Sequence, residues 1–287
     1  MDKKLRDHIS YLLCVNLLNV KRISGGDTSE VYLLHTETER FVCKLHDGPS
    51  AFEMFQAEKE GLAAIRQTKT IATPKPFCCE ELEQGAFLIM EYIEPKLPDA
   101  KAMELLGHHL AAMHNTATST AWGWDAPNFI GPLPQSNTKC SSWATFYATE
   151  RLLPQLRLAH RHHLLSSQEV PSEAKIIERC AALCSEVTPT LLHGDLWSGN
   201  FLIGKNGTPY LIDPAVYYGH AEVDLSMTRL FGGFSSGFYN AYREHIPVPE
   251  QEQELCDLYQ LYYLLVHLNL FGASYRQQVL VILKLYF

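Results

Sequence analysis

The residues best able to do chemistry lie between positions 193 and 213. The stretch 193–200 reads HGDLWSGN, in which Asp195 follows His193 by two positions and Asn200 follows Asp195 by five. A carboxylate there can orient an attacking hydroxyl and accept its proton, and a nearby amide oxygen can bind Mg²⁺ without adding another titrating charge. This spacing is typical of the catalytic loop of enzymes that transfer phosphoryl groups. The structural alternative is a turn rich in Asp and Asn after a strand.

A second carboxylate lies farther along the chain. Asp213 ends the short apolar run that begins at Tyr210. An Asp at that place can hold the Mg²⁺ that bridges nucleotide phosphates. The pattern therefore predicts a hairpin whose two arms present Asn200 and Asp213 to one metal ion. For His193 we expect a hydrogen-bonding role within the loop rather than proton transfer.

A glycine turn and a lysine near the N-terminus extend this pattern. Gly25 and Gly26 lie between two predicted strands, and Lys44 lies on a third, between Val42 and Leu45. A Gly-Gly turn alone is usually only a hairpin, and a lone lysine can lie along the surface. A lysine half-buried in an apolar strand, however, needs an anion. Phosphate is one candidate; a carboxylate on the next helix is another, with Glu53, Glu58 and Glu60 available.

The elements that must position these residues change in type along the chain. Short strands dominate up to about residue 92, and two prolines, Pro95 and Pro98, suit a linker. Beyond them helical patterns dominate. We therefore predict an α+β, bilobal, protein-kinase-like fold, with an antiparallel-sheet lobe over 1–92 and a larger, mostly helical lobe over 93–287. The predicted helices cover 4–18, 52–65, 99–116, 141–160, 172–186, 222–231 and 254–271, and 121–140 is a structured loop.

Composition and charge restrict the partners. The chain has 287 residues, of which 46% are hydrophobic, so it folds rather than remaining disordered. Its net charge is −8 and it has no basic tract, which argues against nucleic acid or a membrane surface as the main partner. We find no signal peptide, and the most apolar segment, 258–271, is too short and too polar to span a bilayer. We therefore expect a cytoplasmic protein.

Two clusters have ordinary structural explanations. Cys180 and Cys184 lie one helical turn apart among apolar residues, which predicts a buried helix face rather than a metal or redox pair. The run from His160 to His163 includes Arg161 and has no matching carboxylate, so we expect an exposed helix end rather than a metal site.

With these motifs in view, the chain resembles the fructosamine kinase, or ketosamine-3-kinase, family, within the wider aminoglycoside-phosphotransferase and choline-kinase group. The resemblance covers nearly the whole chain. Its most specific part is the loop HGDLWSGN with its tryptophan. The other segments that carry it are 128–131 (NFIG), 213–225 (DPAVYYGHAEVDL), 231–234 (FGGF), 259–262 (YQLY) and 267–272 (HLNLFG).

The resemblance implies an activity and a set of roles. ATP, with Mg²⁺, would phosphorylate the 3-hydroxyl of a ketosamine (a ribulosamine, erythrulosamine or fructosamine), and loss of phosphate would then free the amine. Asp195 would be the base and Asp224 would brace the loop. The remaining roles would be Mg²⁺ binding by Asn200 and Asp213, phosphate binding by Lys44 paired with Glu58, phosphate cover by Gly25, Gly26 and Ser29, adenine binding by Met90, Glu91 and Tyr92, and sugar-amine binding by Trp197, His267 and Asn269.

Other functions remain open at this point. A kinase for another small alcohol, such as an aminoglycoside, choline or homoserine, would share the fold and the loop. A nucleotide-binding pseudokinase is a rival from another class, although every expected catalytic position is filled. A non-catalytic globular protein would leave the order of the motifs unexplained. The sequence does not select the sugar or decide whether the amine is free or protein-bound, and we expect a monomer.

Overall fold

The N-terminal part of the chain is a five-stranded antiparallel sheet with one helix on each face. The structure is a computed structural model that describes residues 1–23, 29–184 and 187–287. The strand order is β1-β2-β3-β5-β4. The elements are α1 (Lys3–Leu13), β1 (Asn19–Ile23), β2 (Glu30–His35), β3 (Arg40–Asp47), α2 (Ala51–Gln67), β4 (Pro76–Leu82) and β5 (Gly85–Glu91).

Strand β5, between β3 and β4, is a continuous apolar strand of this sheet. Its first six residues are buried, and successive side chains face opposite sides of the sheet. Phe87 and Ile89 pack in the cluster that includes Ile9 of α1, whereas Leu88 and Met90 pack in the cluster on the α2 side. The sequence is a continuous apolar run here because both faces of the strand are covered.

The C-terminal part is mostly helical and carries three small pieces of sheet. The long helix α9 lies at the centre of its core, with residues such as Tyr259 and Leu265 fully buried. A π-helical turn, Tyr147–Leu152, joins α4 to α5. The elements are β6 (Pro95–Lys96), α3 (Ala100–Thr116), β7 (Asn128–Ile130), β8 (Leu133–Gln135), α4 (Trp143–Phe146), α5 (Leu153–Arg161), α6 (Glu173–Leu183), β9 (Thr190–Leu192), β10 (Phe201–Gly204), β11 (Pro209–Leu211), β12 (Tyr217–Gly219), α7 (Glu222–Leu230), α8 (Ser236–Arg243), α9 (Glu252–Phe271) and α10 (Arg276–Tyr286).

Helix α2 connects the two parts. Its Ile65 belongs to the same apolar cluster as Leu106 of α3 and Leu211 of β11. At Gly61 the helix lies so close to the segment after Asp213 that an added Cβ would lie 3.0 Å from Cγ of Pro214. Because α2 also carries Glu58, this packing sets the position of that carboxylate against the C-terminal part.

The α+β fold class is confirmed, with differences in detail. The first helix ends at Leu13 rather than residue 18, because Cys14 takes a left-handed conformation (φ 53°) and closes the helix. Strand β4 and helices α8 and α10 were not predicted, and the loop 121–140 contains the β7–β8 hairpin. The lobe boundary at residue 92 stays a prediction.

The predicted burial of the cysteine pair and the predicted exposure of the histidine run are confirmed. Cys180 and Cys184 are both buried at the end of α6. The residues from His160 to His163 are exposed where α5 ends. None of the helices in the described part of the chain combines the length and the apolar character needed to cross a bilayer.

Candidate active site

The loop between β9 and β10 holds Asp195 and Asn200 together. The Asn200 side-chain amide donates to the backbone carbonyl of Asp195 (2.8 Å) and to its carboxylate oxygen Oδ2 (3.1 Å). Asn200 is buried and Asp195 is half-buried. The amide therefore orients the carboxylate, as a base that must meet one hydroxyl requires.

His193 has a structural role in this loop, as expected. Its Nδ1 accepts a hydrogen bond from the Asp195 backbone N–H (3.2 Å), and its Nε2 donates to the carbonyl of Ile212 (2.8 Å). Burial lowers the pKa of the imidazole, so the ring is neutral with its proton on Nε2. The ring therefore ties the Asp195 loop to the end of the strand that leads to Asp213.

Asp224, near the start of α7, holds the backbone of the loop 193–200 in place. Its fully buried carboxylate accepts hydrogen bonds from the backbone N–H groups of His193 (2.7 Å) and Gly194 (2.9 Å). It also accepts from Nε2 of His114 in α3 (3.2 Å), whose Nδ1 bonds the Tyr242 hydroxyl of α8 (2.8 Å). Burial alone would raise the pKa of Asp224, but these donors hold it below its ordinary value. The carboxylate is thus charged and immobile.

Gly194 allows the loop to lie close to the segment that follows Asp213. Its φ of +82° is a conformation that side chains disfavour, and an added Cβ would overlap the carbonyl oxygen of Ala215. Its own carbonyl accepts from the Tyr263 hydroxyl of α9 (2.8 Å). Only glycine fits a backbone clamped in this way from both sides.

Lys44, Glu58 and Asp213 form a buried ionic triad. The Lys44 ammonium lies 2.7 Å from Oε1 of Glu58 and also pairs with Oδ1 of Asp213. Only 12% of the Lys44 side chain is exposed. Burial alone would lower the pKa of Lys44, but the two carboxylates raise it above its ordinary value. Lys44 in turn holds the pKa of Asp213 down, against the effect of burial.

Among the three candidate partners of Lys44, the structure selects Glu58. This carboxylate is 13% exposed, so it does not lie on a solvated helix face. Burial and the neighbouring Asp213 raise the pKa of Glu58 to about 7, although Lys44 opposes the shift. One lysine therefore balances the two carboxylates only in part.

The charge around Asp195 and Asp213 suits a divalent cation. Burial and the charge on Asp213 raise the pKa of Asp195 to about 7, against the effect of the Asn200 hydrogen bond. The half-buried carboxylates of Asp195 and Asp213 and the Asn200 amide oxygen are hard oxygen ligands, which Mg²⁺ prefers. A cation here would offset their mutual repulsion, and the donor set fits one held by Asn200 and Asp213.

Four of the residues predicted to cover the phosphates or border the adenine are described by the structure: Ser29, Met90, Glu91 and Tyr92. Gly25 and Gly26 lie outside the described residues, and Ser29 is half-buried just before β2. The Met90 side chain packs between the sheet and α2 and is 4% exposed. The backbone N–H of Glu91 donates to the Lys75 carbonyl (2.8 Å), so it would reach an adenine edge only if that bond opened.

Tyr92 lies just beyond β5, under a cation. The Arg40 guanidinium lies 4.6 Å from the centre of its ring. Tyr92 follows the last strand of the sheet directly, so it lies where the chain leaves the N-terminal sheet for β6. Its role toward adenine stays a prediction.

Trp197 lies within the loop 193–200. His267 lies in α9, in a group of aromatic rings. Trp197 is half-buried against the core of the helical part, and its ring covers Gly199, where a Cβ would overlap it. The His267 ring lies 4.7 Å from that of Phe231 and 5.1 Å from that of Tyr275, and its Nδ1 donates to the Tyr263 carbonyl (2.8 Å). Tyr263 connects the two places, since its hydroxyl bonds the loop.

Asn269 is not brought to this group. Its amide donates to the backbone carbonyl (3.0 Å) and the side-chain oxygen (2.8 Å) of Gln155 in α5. Residues two apart on a helix point about 200° apart, so Asn269 and His267 lie on different faces of α9. The amide therefore joins α5 to α9, and a role of Asn269 toward the sugar-amine stays a prediction.

Sequence reasoning missed several residues that support the site. His114 and Tyr242 join Asp224, and Arg151 of the π-helical turn supports the loop before α4. All three are buried polar side chains in helices with apolar neighbours. That is a usable signal, because a buried polar group needs a partner, but it does not say which partner.

Solved structures define the class of fold. The chain superposes on an aminoglycoside phosphotransferase solved with ADP and hygromycin B with a TM-score of 0.64, covering 98% of each chain at 14% identity. At that identity the likeness concerns the fold alone. A protein from Thermobifida fusca assigned as a fructosamine-3-kinase gives a TM-score of 0.84 at 30% identity, covering 99% of this chain and 98% of the other. The fold is thus the bilobal kinase-like fold of small-molecule phosphotransferases.

Sequence comparison then gives the family. The fructosamine kinase family model matches residues 3–286. A probable ketoamine kinase from Synechocystis is 39% identical, covering 92% of this chain and 88% of its own. A chloroplastic protein-ribulosamine 3-kinase from Arabidopsis thaliana is 38% identical, covering 94% of this chain and 83% of its own. The chain belongs to the fructosamine kinase family and is a phosphotransferase.

Proposed function

We propose that this protein transfers the γ-phosphoryl group of ATP to the 3-hydroxyl of a ketosamine, which leads to release of the amine. The observation that carries the proposal is the oriented Asp195 carboxylate beside the Lys44–Asp213 pair, in a chain of this family. The relatives' names supply the acceptor class: one is a ketoamine kinase and another a protein-ribulosamine 3-kinase. A free and a protein-bound ketosamine are both compatible with it.

Asp195 acts on the acceptor. Its carboxylate accepts the proton of the attacking hydroxyl while the Asn200 amide keeps it in one orientation. The braced loop, held by Asp224, prevents the base from retreating when the substrate binds. Positioning of this kind is most of what phosphoryl transfer asks of a protein, because the transferred group needs little covalent help.

Lys44 and Asp213 act on the nucleotide. Lys44 pairs with the phosphates while Glu58 keeps it on the correct side of the sheet. Asn200 and Asp213 would hold Mg²⁺, which when bound would supply positive charge to neutralise the phosphates. The glycine turn and Ser29 cover the phosphates, and Met90, Glu91 and Tyr92 border the adenine. Trp197 offers an aromatic face to the sugar, and His267 is assigned to the sugar-amine as well.

The test is ATP turnover by the purified protein with Mg²⁺ against a panel of acceptors. The panel contains a ribulosamine, an erythrulosamine, a fructosamine, choline, homoserine and kanamycin. We expect turnover with ketosamines alone and a phosphorylated product that releases its amine. Turnover with kanamycin, choline or homoserine instead would overturn the acceptor, and ATP binding without any turnover would indicate a pseudokinase.

Asp195→Asn is the matched catalytic variant. It keeps the size of the side chain and removes the base, so kcat should fall by about 10²-fold or more while ATP still binds. Asp7→Asn, an exposed position in α1, is the control and should behave as the wild type. Near wild-type turnover of Asp195→Asn would remove Asp195 from the role of base.

A further inference from the structure

A second group of ligating side chains lies between α3 and α8, where α8 ends. The two helices approach closely at Gly107, where an added Cβ would overlap the Phe238 carbonyl and lie 3.1 Å from Cβ of Ala241. The next residue in α3 is His108. The approach places it against His245, which follows α8 by two residues.

The geometry of this group is compact. Nδ1 of His108 and Nε2 of His245 are 2.9 Å apart, and the two rings are inclined at 76°. A carboxylate oxygen of Glu244 lies within 4.8 Å of both ring nitrogens. His108 is half-buried, and Glu244 and His245 are exposed, so the group is open to solvent on one side.

This donor set differs from that of the catalytic loop. Two imidazole nitrogens and one carboxylate oxygen suit Zn²⁺ and neighbouring transition metals, whereas Mg²⁺ prefers oxygen alone. A Zn–N bond of about 2.0–2.1 Å lets one ion contact two nitrogens about 3 Å apart. The group also lies at the C-terminal end of α8, where the helix dipole favours a cation. Without a metal, the two rings share one proton in a hydrogen bond.

We propose that His108, Glu244 and His245 form a binding site for Zn²⁺ or a similar transition-metal ion, with three protein ligands and water completing the coordination. The metal would take the place of this hydrogen bond and tie α3 to α8, while the proton of that bond would move to the other nitrogen of the donor ring. The same two helices meet farther along at the hydrogen bond between His114 and Tyr242 (2.8 Å), which supports Asp224. The site would therefore stabilise the helix pair beneath the catalytic loop without taking part in the chemistry.

The test uses the metal-free, full-length protein with any affinity tag removed. Co²⁺ is titrated first because its visible absorption reports on the ligands, and Zn²⁺ is then used to displace it. We expect a single site that binds one equivalent, and a Tm that rises by about 5 °C at saturating Zn²⁺. His108→Gln and His245→Gln should each weaken binding by on the order of 100-fold and abolish the rise in Tm.

Three controls separate this site from others. His162→Gln, at the exposed end of α5, should bind metal as the wild type does. Asp213→Asn should retain the one equivalent of Co²⁺, since Asp213 belongs to the active site with Lys44 and not to this cluster. Metal-free His108→Gln should keep its circular dichroism and its ATP turnover, which shows that the variant is folded. No one-to-one complex, a complex that survives in both histidine variants, or its loss in Asp213→Asn would each overturn the proposal.

Discussion

Lys44 is the residue at which the N-terminal sheet meets Asp213 of the C-terminal part. Its ammonium pairs with Glu58 and Asp213 at once, and only 12% of the side chain is exposed. Binding of the nucleotide must redistribute these partners, because the phosphates compete with the carboxylates for one cation. Its charge is therefore needed in both states.

Lys44→Met should raise the KM for ATP and lower kcat together. The change removes the cation while keeping the apolar stem, and it leaves Glu58 and Asp213 as two buried like charges. We expect kcat/KM for ATP to fall by on the order of 10²-fold. Steady-state kinetics with varied ATP measure it, and Lys59→Met on α2 is the control. If both constants stay at wild-type values, Lys44 is not in the site.

His220 makes stability depend on pH at the residue scale. Its Nδ1 bonds the Tyr259 hydroxyl (2.8 Å), and burial, with His114 and Arg243 nearby, lowers its pKa to about 3. The ordinary histidine pKa is about 6.5. As the pH falls from about 6.5 toward 3, His220 is protonated in the unfolded chain but stays neutral in the folded protein. Stability from this residue is therefore complete above pH 6.5 and is lost on acidification.

His220→Gln should flatten that dependence. We expect the free energy of unfolding of the wild type to fall, relative to the variant, by about 1 kcal/mol per pH unit between pH 6 and 4, because His220 is only half-buried and solvent weakens the effect. Urea titrations across this range measure the difference. The exposed His162→Gln should follow the wild type. Parallel curves for wild type and His220→Gln would show that His220 titrates as an ordinary histidine.

At the scale of elements, the π-helical turn carries a fully buried arginine. The Arg151 guanidinium donates to the Ser136 carbonyl (2.6 Å) and to Oδ1 of Asn137 (2.6 Å), and lies 3.9 Å from the centre of the Tyr217 ring. Tyr217 follows Asp213 by four residues. The arginine thus joins the turn, the loop after β8 and strand β12.

Arg151→Met should destabilise the protein by about 3 kcal/mol. Methionine fills much of the volume but leaves the buried Asn137 oxygen and the Ser136 carbonyl without their donor and removes the cation from the ring. The midpoint of urea unfolding measures it. Arg157→Met in α5 is matched, because its ion pair with Glu173 is on the surface, and should cost under about 1 kcal/mol. Equal losses in the two variants would contradict the role of Arg151 as a connection between elements.

At the scale of the whole molecule, the packing of α2 against residues 214–216 couples the N-terminal sheet to the helical part. Gly61 is the closest point, with Pro214 Cγ 3.0 Å and Val216 Cγ1 3.4 Å from an added Cβ. Glu58 precedes it by nearly one turn on the same helix. Anything that separates α2 from Pro214 therefore also moves Glu58 relative to Asp213.

Gly61→Val should reduce both stability and activity. The side chain would push α2 away, at a cost of about 1–3 kcal/mol, and kcat/KM should fall by about tenfold because the triad is displaced. Thermal unfolding and steady-state kinetics measure the two effects. Gln67→Val, exposed at the end of the same helix, introduces the same β-branched side chain without the clash and is the control. A stable Gly61→Val enzyme with full activity would mean that the two parts are not coupled here.

The sequence by itself determined those features of the site and the fold that depend on residues close together along the chain. The spacing of Asp195 and Asn200 within one loop predicted their association, and the apolar strand around Lys44 predicted a buried partner. The alternation and continuity of apolar residues predicted the sheet and most helices. These features follow from local geometry, which neighbouring residues set among themselves.

Only the tertiary structure decided which distant residues meet. Spacing alone left Glu53, Glu58 and Glu60 open as partners of Lys44, and the structure pairs it with Glu58, as the family resemblance implied. The structure also placed Asn269 against α5 rather than near His267 and brought His114 to Asp224. Each outcome depends on how a helix rotates about its axis and how closely it packs on another. Those quantities follow from the summed packing of the core, which no single motif encodes.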